Sequence, residues 1–172
     1  MERILIPSAR VHALKDAIAT IEKRLECKII IEGKNEVTIE GDAYAEYAAK
    51  SIVQAIARGF KLNTAFKLLN EDFFFESIDV GDIASNKVKK KRMIARIIGT
   101  DGKAKIYMEE VSGAAIEIYG DTISLIGNID EIRIAKAGIN ILLDGGKHST
   151  AYAVMEKERT LKRLHYQILT EG

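Results

Sequence analysis

Two glycines, at positions 99 and 102, define the segment of this chain whose residue types could do chemistry. Glycines at this spacing interrupt a helix, and they let another chain approach the backbone without interference from Cβ atoms. A helix that begins after them points unpaired N–H groups at the same gap, and such groups bind phosphate. Arg96, Lys103 and Lys105 flank the pair and supply positive charge. The motif indicates a site for a phosphate backbone; its alternative is a plain turn between two helices.

The glycine pair lies in a basic island, residues 87–105, which carries eight Lys and Arg side chains against Asp101 as its single acidic one. The island has a net charge of +7, whereas residues 1–86 and residues 106–172 each have a net charge of −3. The whole chain has a formal charge of only +1, so we do not expect a protein that coats nucleic acid through bulk charge. The positive charge is instead concentrated around the glycine pair.

Other kinds of site are poorly supported by the residues. The histidines match no metal-binding spacing: His12, His148 and His165. Two carboxylate pairs, Glu109 with Glu110 and Asp130 with Glu131, are better explained as charged helix faces than as a nuclease centre. Cys27 is the single cysteine and cannot form an internal disulfide. We therefore predict no catalytic residue, no metal and no cofactor, and a protein that is not an enzyme.

Hydrophobic patterning argues against a membrane protein. The uncharged runs are far shorter than the roughly 18 residues that a transmembrane helix needs. The first residues lack the long apolar stretch of a secretory signal. With 47% hydrophobic and 30% charged residues, the composition is that of an ordinary globular chain. We predict a cytoplasmic protein with no membrane partner.

The elements that must position the glycine pair belong to an internal repeat. Residues 28–59 and residues 115–145 share a plan in which Gly41 matches Gly127, 86 positions later. Each copy has two short β-rich runs joined by a polar turn, then a helix with apolar residues three and four positions apart. The repeat predicts two related units rather than a solenoid.

The last helix of the second copy has a clear pattern. Asn128 and Glu131 predict a capping box at its start, and Gly145 lies where a helix end is expected. Its predicted buried stripe consists of Ile132, Ala135, Ile139 and Leu142.

Each hairpin is preceded by another strand and by helical material. Residues 4–6 and 73–80 are predicted strands because of their β-branched and aromatic content. Residues 10–26 and 88–112 are predicted helical segments, the second split by the glycines. Each copy therefore has the predicted order β-α-α-β-β-α, a three-stranded antiparallel sheet covered by helices. The predicted fold class is α+β.

The predicted domains are residues 1–72, with a connecting helix at 61–70, and residues 73–172, with a closing helix at 149–169. The first unit has no glycine before Gly33, and residues 10–22 are too short for two helices and a glycine loop. We expect it to be a degenerate unit that serves in packing or protein interaction.

The segment RIIGTDGKAKIYMEEVSGAAIEIYG resembles the core of the KH family of single-stranded nucleic-acid binders, in its type I order. In that family the Gly-x-x-Gly loop grips about four nucleotides of backbone while bases line an apolar groove. The resemblance implies a clamp, the side chains beneath it, a strand side of the groove and phosphate-binding cations. The clamp would be Gly99, Thr100, Asp101 and Gly102, and the side chains beneath it would be Ile97 and Ile98. The strand side of the groove would be Ile116 and Ile118, and the phosphate-binding cations would be Arg96, Lys103 and Lys105. Many KH loops carry a basic residue between the glycines, whereas Asp101 would weaken phosphate binding here.

The paired units and the tail with Lys147, His148, Tyr152 and Glu156 are similar to the archaeal-type rRNA-processing KH proteins, relatives of the Dim and partner-of-Nob family. That resemblance implies binding of single-stranded RNA at the 3′-end region of small-subunit rRNA during ribosome maturation. It also implies two partners, the pre-small ribosomal subunit and the PIN-domain endonuclease that trims this end. The alternatives are a general KH regulator of mRNA, an exosome-type adaptor, and a protein-interaction scaffold with a vestigial RNA site.

Overall fold

Residues 1–171 are described by a computed structural model, in which the chain divides into two units between Phe75 and Glu76. The last residue of the predicted second domain, Gly172, lies outside the described residues. No helix in the described part of the chain is both long and apolar enough to cross a membrane.

The first unit is a small sheet packed against helices. In chain order its elements are β1 (Glu2–Leu5), α1 (Val11–Leu25), β2 (Lys28–Glu32), β3 (Glu36–Glu40), α2 (Ala43–Ala57) and the short α3 (Leu62–Ala65). The strands lie in the order β1-β3-β2, and both pairings are antiparallel. Helix α2 begins at Asp42, whose carboxylate accepts a hydrogen bond of 2.8 Å from the Ala45 N–H. Ile21, Val37 and Ile52 are fully buried in the core.

The prediction of two helices before the first hairpin is wrong for this unit. Only a 3₁₀ turn, Ser8–Arg10, separates β1 from α1, and α1 then runs without interruption to Leu25. Five residues between β1 and α1 cannot hold a helix of several turns, because each turn needs 3.6 residues. Without a glycine to break it, α1 forms one continuous helix and no clamp loop exists in this unit.

The second unit contains both helices. Its elements are β4 (Phe74–Asp79), α4 (Lys87–Ile98), α5 (Lys103–Ser112), β5 (Ala115–Tyr119), β6 (Thr122–Gly127), α6 (Ile129–Leu143) and α7 (His148–Glu171). Its three strands lie in the order β4-β6-β5, and β5 pairs antiparallel with β6. This register places Ile116 opposite Leu125 and Ile118 opposite Ile123. The elements follow the order β-α-α-β-β-α with α7 added at the end.

Helix α6 agrees with its sequence pattern in detail. The Asn128 side chain accepts from the Glu131 N–H at 2.9 Å, and the Glu131 carboxylate accepts from the Asn128 N–H at 2.9 Å. This reciprocal pair is the predicted capping box. All four residues of the predicted stripe are buried: Ile132, Ala135, Ile139 and Leu142. Gly145, just past the helix, has φ +87°, as a C-terminal glycine requires.

The repeat extends to side-chain interactions. Lys50 on α2 pairs with Glu2 on β1 at 2.9 Å, and Lys136 on α6 pairs with Glu76 on β4 at 2.8 Å. Both lysines are half exposed, so each ion pair stabilises its unit only slightly. Their recurrence shows that the two units share a plan in which the helix after the hairpin is tied to the first strand.

Candidate nucleic-acid interface

The glycine loop breaks the chain between α4 and α5 through its backbone angles. Gly99 has φ +75° and ψ 175°, Asp101 has φ +55°, and Gly102 has φ +74°. A Cβ atom at Gly99 would lie 2.5 Å from the Cβ of Ala104, so no larger residue fits there. At Gly102 such an atom would meet nothing within 4 Å. The loop is therefore tightly packed against α5 at Gly99, whereas the space beside Gly102 is open.

The open side of the loop exposes the start of α5. Helix α5 begins at Lys103, and in the part of the chain that the structure describes no side chain caps its first turn. The first N–H groups of a helix have no partner within it and carry the positive end of its dipole. The Gly102 N–H already donates to the Gly99 carbonyl and the Lys103 N–H to the Thr100 carbonyl. What the start of α5 offers to an anion is therefore the positive end of the helix dipole.

The three predicted cations are placed very differently. Lys103 is exposed, and among the described residues its ammonium makes no ion pair. Lys105 is less exposed, and its Nζ lies 3.5 Å from Glu109 and 3.7 Å from Glu117. Carboxylates at this distance offset most of the charge that Lys105 would offer to a phosphate. Lys103 is consequently the cation best placed at the start of α5.

Arg96 points away from the open side of the loop. Its guanidinium donates to the carbonyl oxygens of Leu142 and Gly146, at the C-terminal end of α6. Arg10 does the same in the first unit, where it donates to the Ile56 carbonyl at 2.9 and 3.0 Å. Arg10 and Ile56 match Arg96 and Leu142 at the repeat offset of 86. Because the unit without a clamp makes the same contact, the geometry supports helix capping rather than phosphate binding for Arg96.

The predicted apolar residues divide into supporting and accessible ones. Ile97 and Ile116 are fully buried in the core of the second unit, so they support the loop and cannot touch a base. Ile98 is 36% exposed and Ile118 is half-buried. Ile106 on α5 is 50% exposed and was not predicted. Ile106 lies off the buried stripe of α5. An apolar residue at such an exposed helix position is the sequence feature that could have identified it as part of the surface.

The basic island places most of its remaining charge along α4. Four of its side chains are exposed and make no ion pair among the described residues: Lys87, Lys89, Lys91 and Arg92. Lys90 instead lies 3.5 Å from Asp121, in the turn between β5 and β6. These four charges are spread over more than one face of α4, because only residues three or four positions apart share a face, and Arg92 is the one nearest in sequence to the loop.

Helix α7 packs against the two helices that hold the loop. His148, at its start, has Nε2 2.8 Å from the Arg96 carbonyl oxygen. The Tyr152 and Tyr107 rings lie 4.1 Å apart, and the Tyr107 hydroxyl donates to Glu156 at 3.1 Å. Burial, and then this hydrogen bond to a carboxylate, raise the pKa of Tyr107. These contacts join the N-terminal half of α7 to the loop region.

No metal centre accompanies this surface: within the described residues, no three His, Cys, Asp or Glu side chains are grouped to hold an ion. The combination of a glycine loop, an open helix start and free cations matches the KH class of fold. Residues 74–160 match the family model for the second KH domain of PNO1, described as a eukaryotic-type KH domain (KH-domain type I).

Known proteins extend this match to the whole chain. A KH domain-containing protein of Methanocaldococcus jannaschii is 35% identical over 178 residues, covering 98% of this chain and 78% of that protein. The RNA-binding protein pno1 of Dictyostelium discoideum is 34% identical over 107 residues, covering 61% of this chain and 45% of that protein. A chain in the crystal structure of the a/eIF2alpha-aDim2p-rRNA complex from Pyrococcus horikoshii has a TM-score of 0.84 and 37% identity, with 92% and 93% of the two chains covered. This chain belongs to the PNO1 family of RNA-binding KH-domain proteins.

Proposed function

We propose that this chain binds single-stranded RNA through the glycine loop of its second unit. The observation that carries the proposal is the uncapped start of α5 at Gly102, next to the exposed Lys103. Together they offer the positive end of the helix dipole and a free ammonium to one phosphate, while Ile98 and Ile118 offer apolar surface to bases. Thr100 and Asp101 face the strand from the loop, and Ile97, Ile116, Arg96 and Lys105 hold the surrounding structure in place.

We propose the 3′-end region of small-subunit rRNA as the target, during ribosome maturation in the cytoplasm. The matched P. horikoshii complex contains rRNA, and relatives are named pre-rRNA-processing proteins. The pre-small ribosomal subunit and the PIN-domain endonuclease are the partners that this role implies. The first unit, without a clamp loop, is a degenerate KH-like domain that serves in packing or protein interaction.

The test is fluorescence anisotropy of a labelled RNA that copies the 3′ end of small-subunit rRNA. Thr100→Asp places a second carboxylate beside Asp101, and we expect it to abolish binding of this RNA by like-charge repulsion. Thr160→Asp is the matched control, because it makes the same charge change at an exposed position on α7. Circular dichroism and thermal unfolding of each variant establish that it is folded.

The outcomes separate this function from its alternatives. Binding by the wild type and by Thr160→Asp, with loss in Thr100→Asp, supports the clamp. Equal binding by all three proteins refutes it. Unrelated single strands that compete as well as the rRNA copy would favour a general KH regulator or an exosome-type adaptor. Absence of binding at low salt, where phosphate contacts are strongest, would favour a protein-interaction scaffold.

A further inference from the structure

A hollow of about 470 Å³ adjoins the glycine loop on the side of α7. Gly99 and Thr100 form one wall, the start of α5 and the end of α4 form others, and the start of α7 closes it. Because Gly99 and Thr100 line it, the hollow lies next to the segment to which the proposed function assigns the RNA strand.

The charge of the hollow is uniformly positive or neutral. Arg92 and Lys103 both line it, and both are exposed and make no ion pair among the described residues. No carboxylate is among the side chains that line it. A cation or a basic peptide would be repelled here, whereas a phosphodiester would be attracted and could form a charge-assisted contact. The electrostatics select an anionic ligand.

The α7 wall adds aromatic surface that the KH core does not supply. Tyr152 lines the hollow and packs against Tyr107 with ring centroids 4.1 Å apart, which restricts the orientation of its ring. His148 also lines it, and its contact with the Arg96 carbonyl fixes α7 to the end of α4. Aromatic rings beside a positive groove are the surfaces on which single-stranded nucleic acids stack their bases. The hollow thus combines phosphate-binding and base-binding chemistry in a preformed wall.

We propose that this hollow is a subsite for one further nucleotide of the RNA strand, beyond those held by the loop. Arg92 binds its phosphate, and its base or ribose lies against Tyr152, while Lys103 remains with the phosphate at the loop. The proposal rests on the proposed function, because it needs a strand already seated on the loop. Helix α7 then sets the length of RNA that the second unit recognises, in addition to packing on the KH core.

The experiment measures how affinity depends on RNA length. Anisotropy titrations would use a four-nucleotide RNA from the rRNA 3′ end and two six-nucleotide RNAs, extended at the 5′ or at the 3′ side. The wild type is expected to bind one of the longer RNAs more tightly than the short one. Arg92→Ala is expected to lose that gain and to bind the four-nucleotide RNA as the wild type does.

The size of the effect follows from counterion release. One phosphate contact on a single strand changes the slope of log K against log salt by about 0.7, which is about fivefold in affinity at 0.1 M salt. Arg92→Ala should therefore weaken binding of the favoured longer RNA about fivefold and reduce its salt slope by about 0.7. Arg92→Lys, which keeps the charge, should restore most of the loss. Lys157→Ala is the matched control, since Lys157 is exposed on α7 and does not line the hollow.

The subsite is refuted if the four-nucleotide RNA binds normally and Arg92→Ala binds the longer RNAs as tightly as the wild type does. Equal losses on short and long RNA, or losses equal to those in Lys157→Ala, would overturn it as well. Failure of the proposed function is distinct, because Thr100→Asp would then bind the four-nucleotide RNA as tightly as the wild type. That result would remove the clamp on which the subsite depends.

Discussion

The two loop glycines make different structural demands, and alanine at each position separates them. At Gly99, φ +75° with ψ 175° is a conformation that side chains rarely adopt, and it costs on the order of 1–3 kcal/mol. The new Cβ would also lie 2.5 Å from the Ala104 Cβ and 2.7 Å from its backbone nitrogen. Overpacking of this kind costs about 1–3 kcal/mol more. We expect Gly99→Ala to destabilise the second unit by about 2–6 kcal/mol.

Gly102→Ala provides the matched comparison. Gly102 has φ +74° and ψ 9°, and an added Cβ would meet no atom within 4 Å. Only the left-handed backbone is penalised, at about 1–2 kcal/mol. Since a whole domain is stable by about 5–15 kcal/mol, the first variant loses a large share of its stability and the second a small one.

Hydrogen exchange along a urea gradient measures this difference within the full chain. Peptides from the buried helix α6 report the free energy of opening of the second unit, and peptides from α2 report the first unit as an internal control. Gly99→Ala should lower the opening free energy at α6 more than Gly102→Ala does, with α2 unchanged in both. Equal losses at α6 would refute the steric argument for Gly99.

Three further predictions follow from the side-chain contacts. Arg96→Ala should lower the stability of the second unit by about 1.5–3 kcal/mol, and Arg10→Ala that of the first, because each removes charged hydrogen bonds to a helix end. The same hydrogen-exchange experiment measures both losses. An Arg96→Ala protein that loses RNA affinity without losing stability would contradict a capping role. Asp101→Asn should raise the affinity for RNA and steepen its salt dependence, because it removes a carboxylate beside the phosphate. Anisotropy titrations measure both. Unchanged affinity would argue against a phosphate at the loop. Stability of the second unit should fall as pH rises above the ordinary phenol pKa of 10.0, because the unfolded Tyr107 ionises before the folded one. Tyr107→Phe should make that fall shallower in urea titrations, and an identical pH profile would refute the assignment.

Features formed by neighbouring residues were predictable from the sequence. The capping box of Asn128 and Glu131, the glycine beyond α6, and the break between α4 and α5 all involve residues within a few positions of one another. Periodicity located the buried face of α6 because a helix repeats every 3.6 residues. The repeat at an offset of 86 predicted two related units, and the β-branched runs and the helical segment split by glycines predicted the strand and helix order that the second one has.

The missing helix of the first unit could be anticipated only in part. The sequence shows that residues 10–22 are too short for two helices and a loop, but the predicted order still assigned both helices to each copy. The structure shows what the shorter form keeps: Arg10 contacts the Ile56 carbonyl from a 3₁₀ turn, as Arg96 contacts Leu142 from the end of a full helix. The capping contact, and not the helix before it, is what both units retain.

Which charges are free was decided by tertiary structure. Arg96 and Lys103 look equivalent in the sequence, yet the guanidinium of Arg96 is held by carbonyls 46 and 50 positions later, while Lys103 faces outward. The same applies to Ile97 and Ile98, which are adjacent and differ from fully buried to 36% exposed. The hollow beside the loop also exists only because α7 returns to pack there. Residue types and local spacing determine what a segment can form, but a side chain's availability depends on what distant elements place against it.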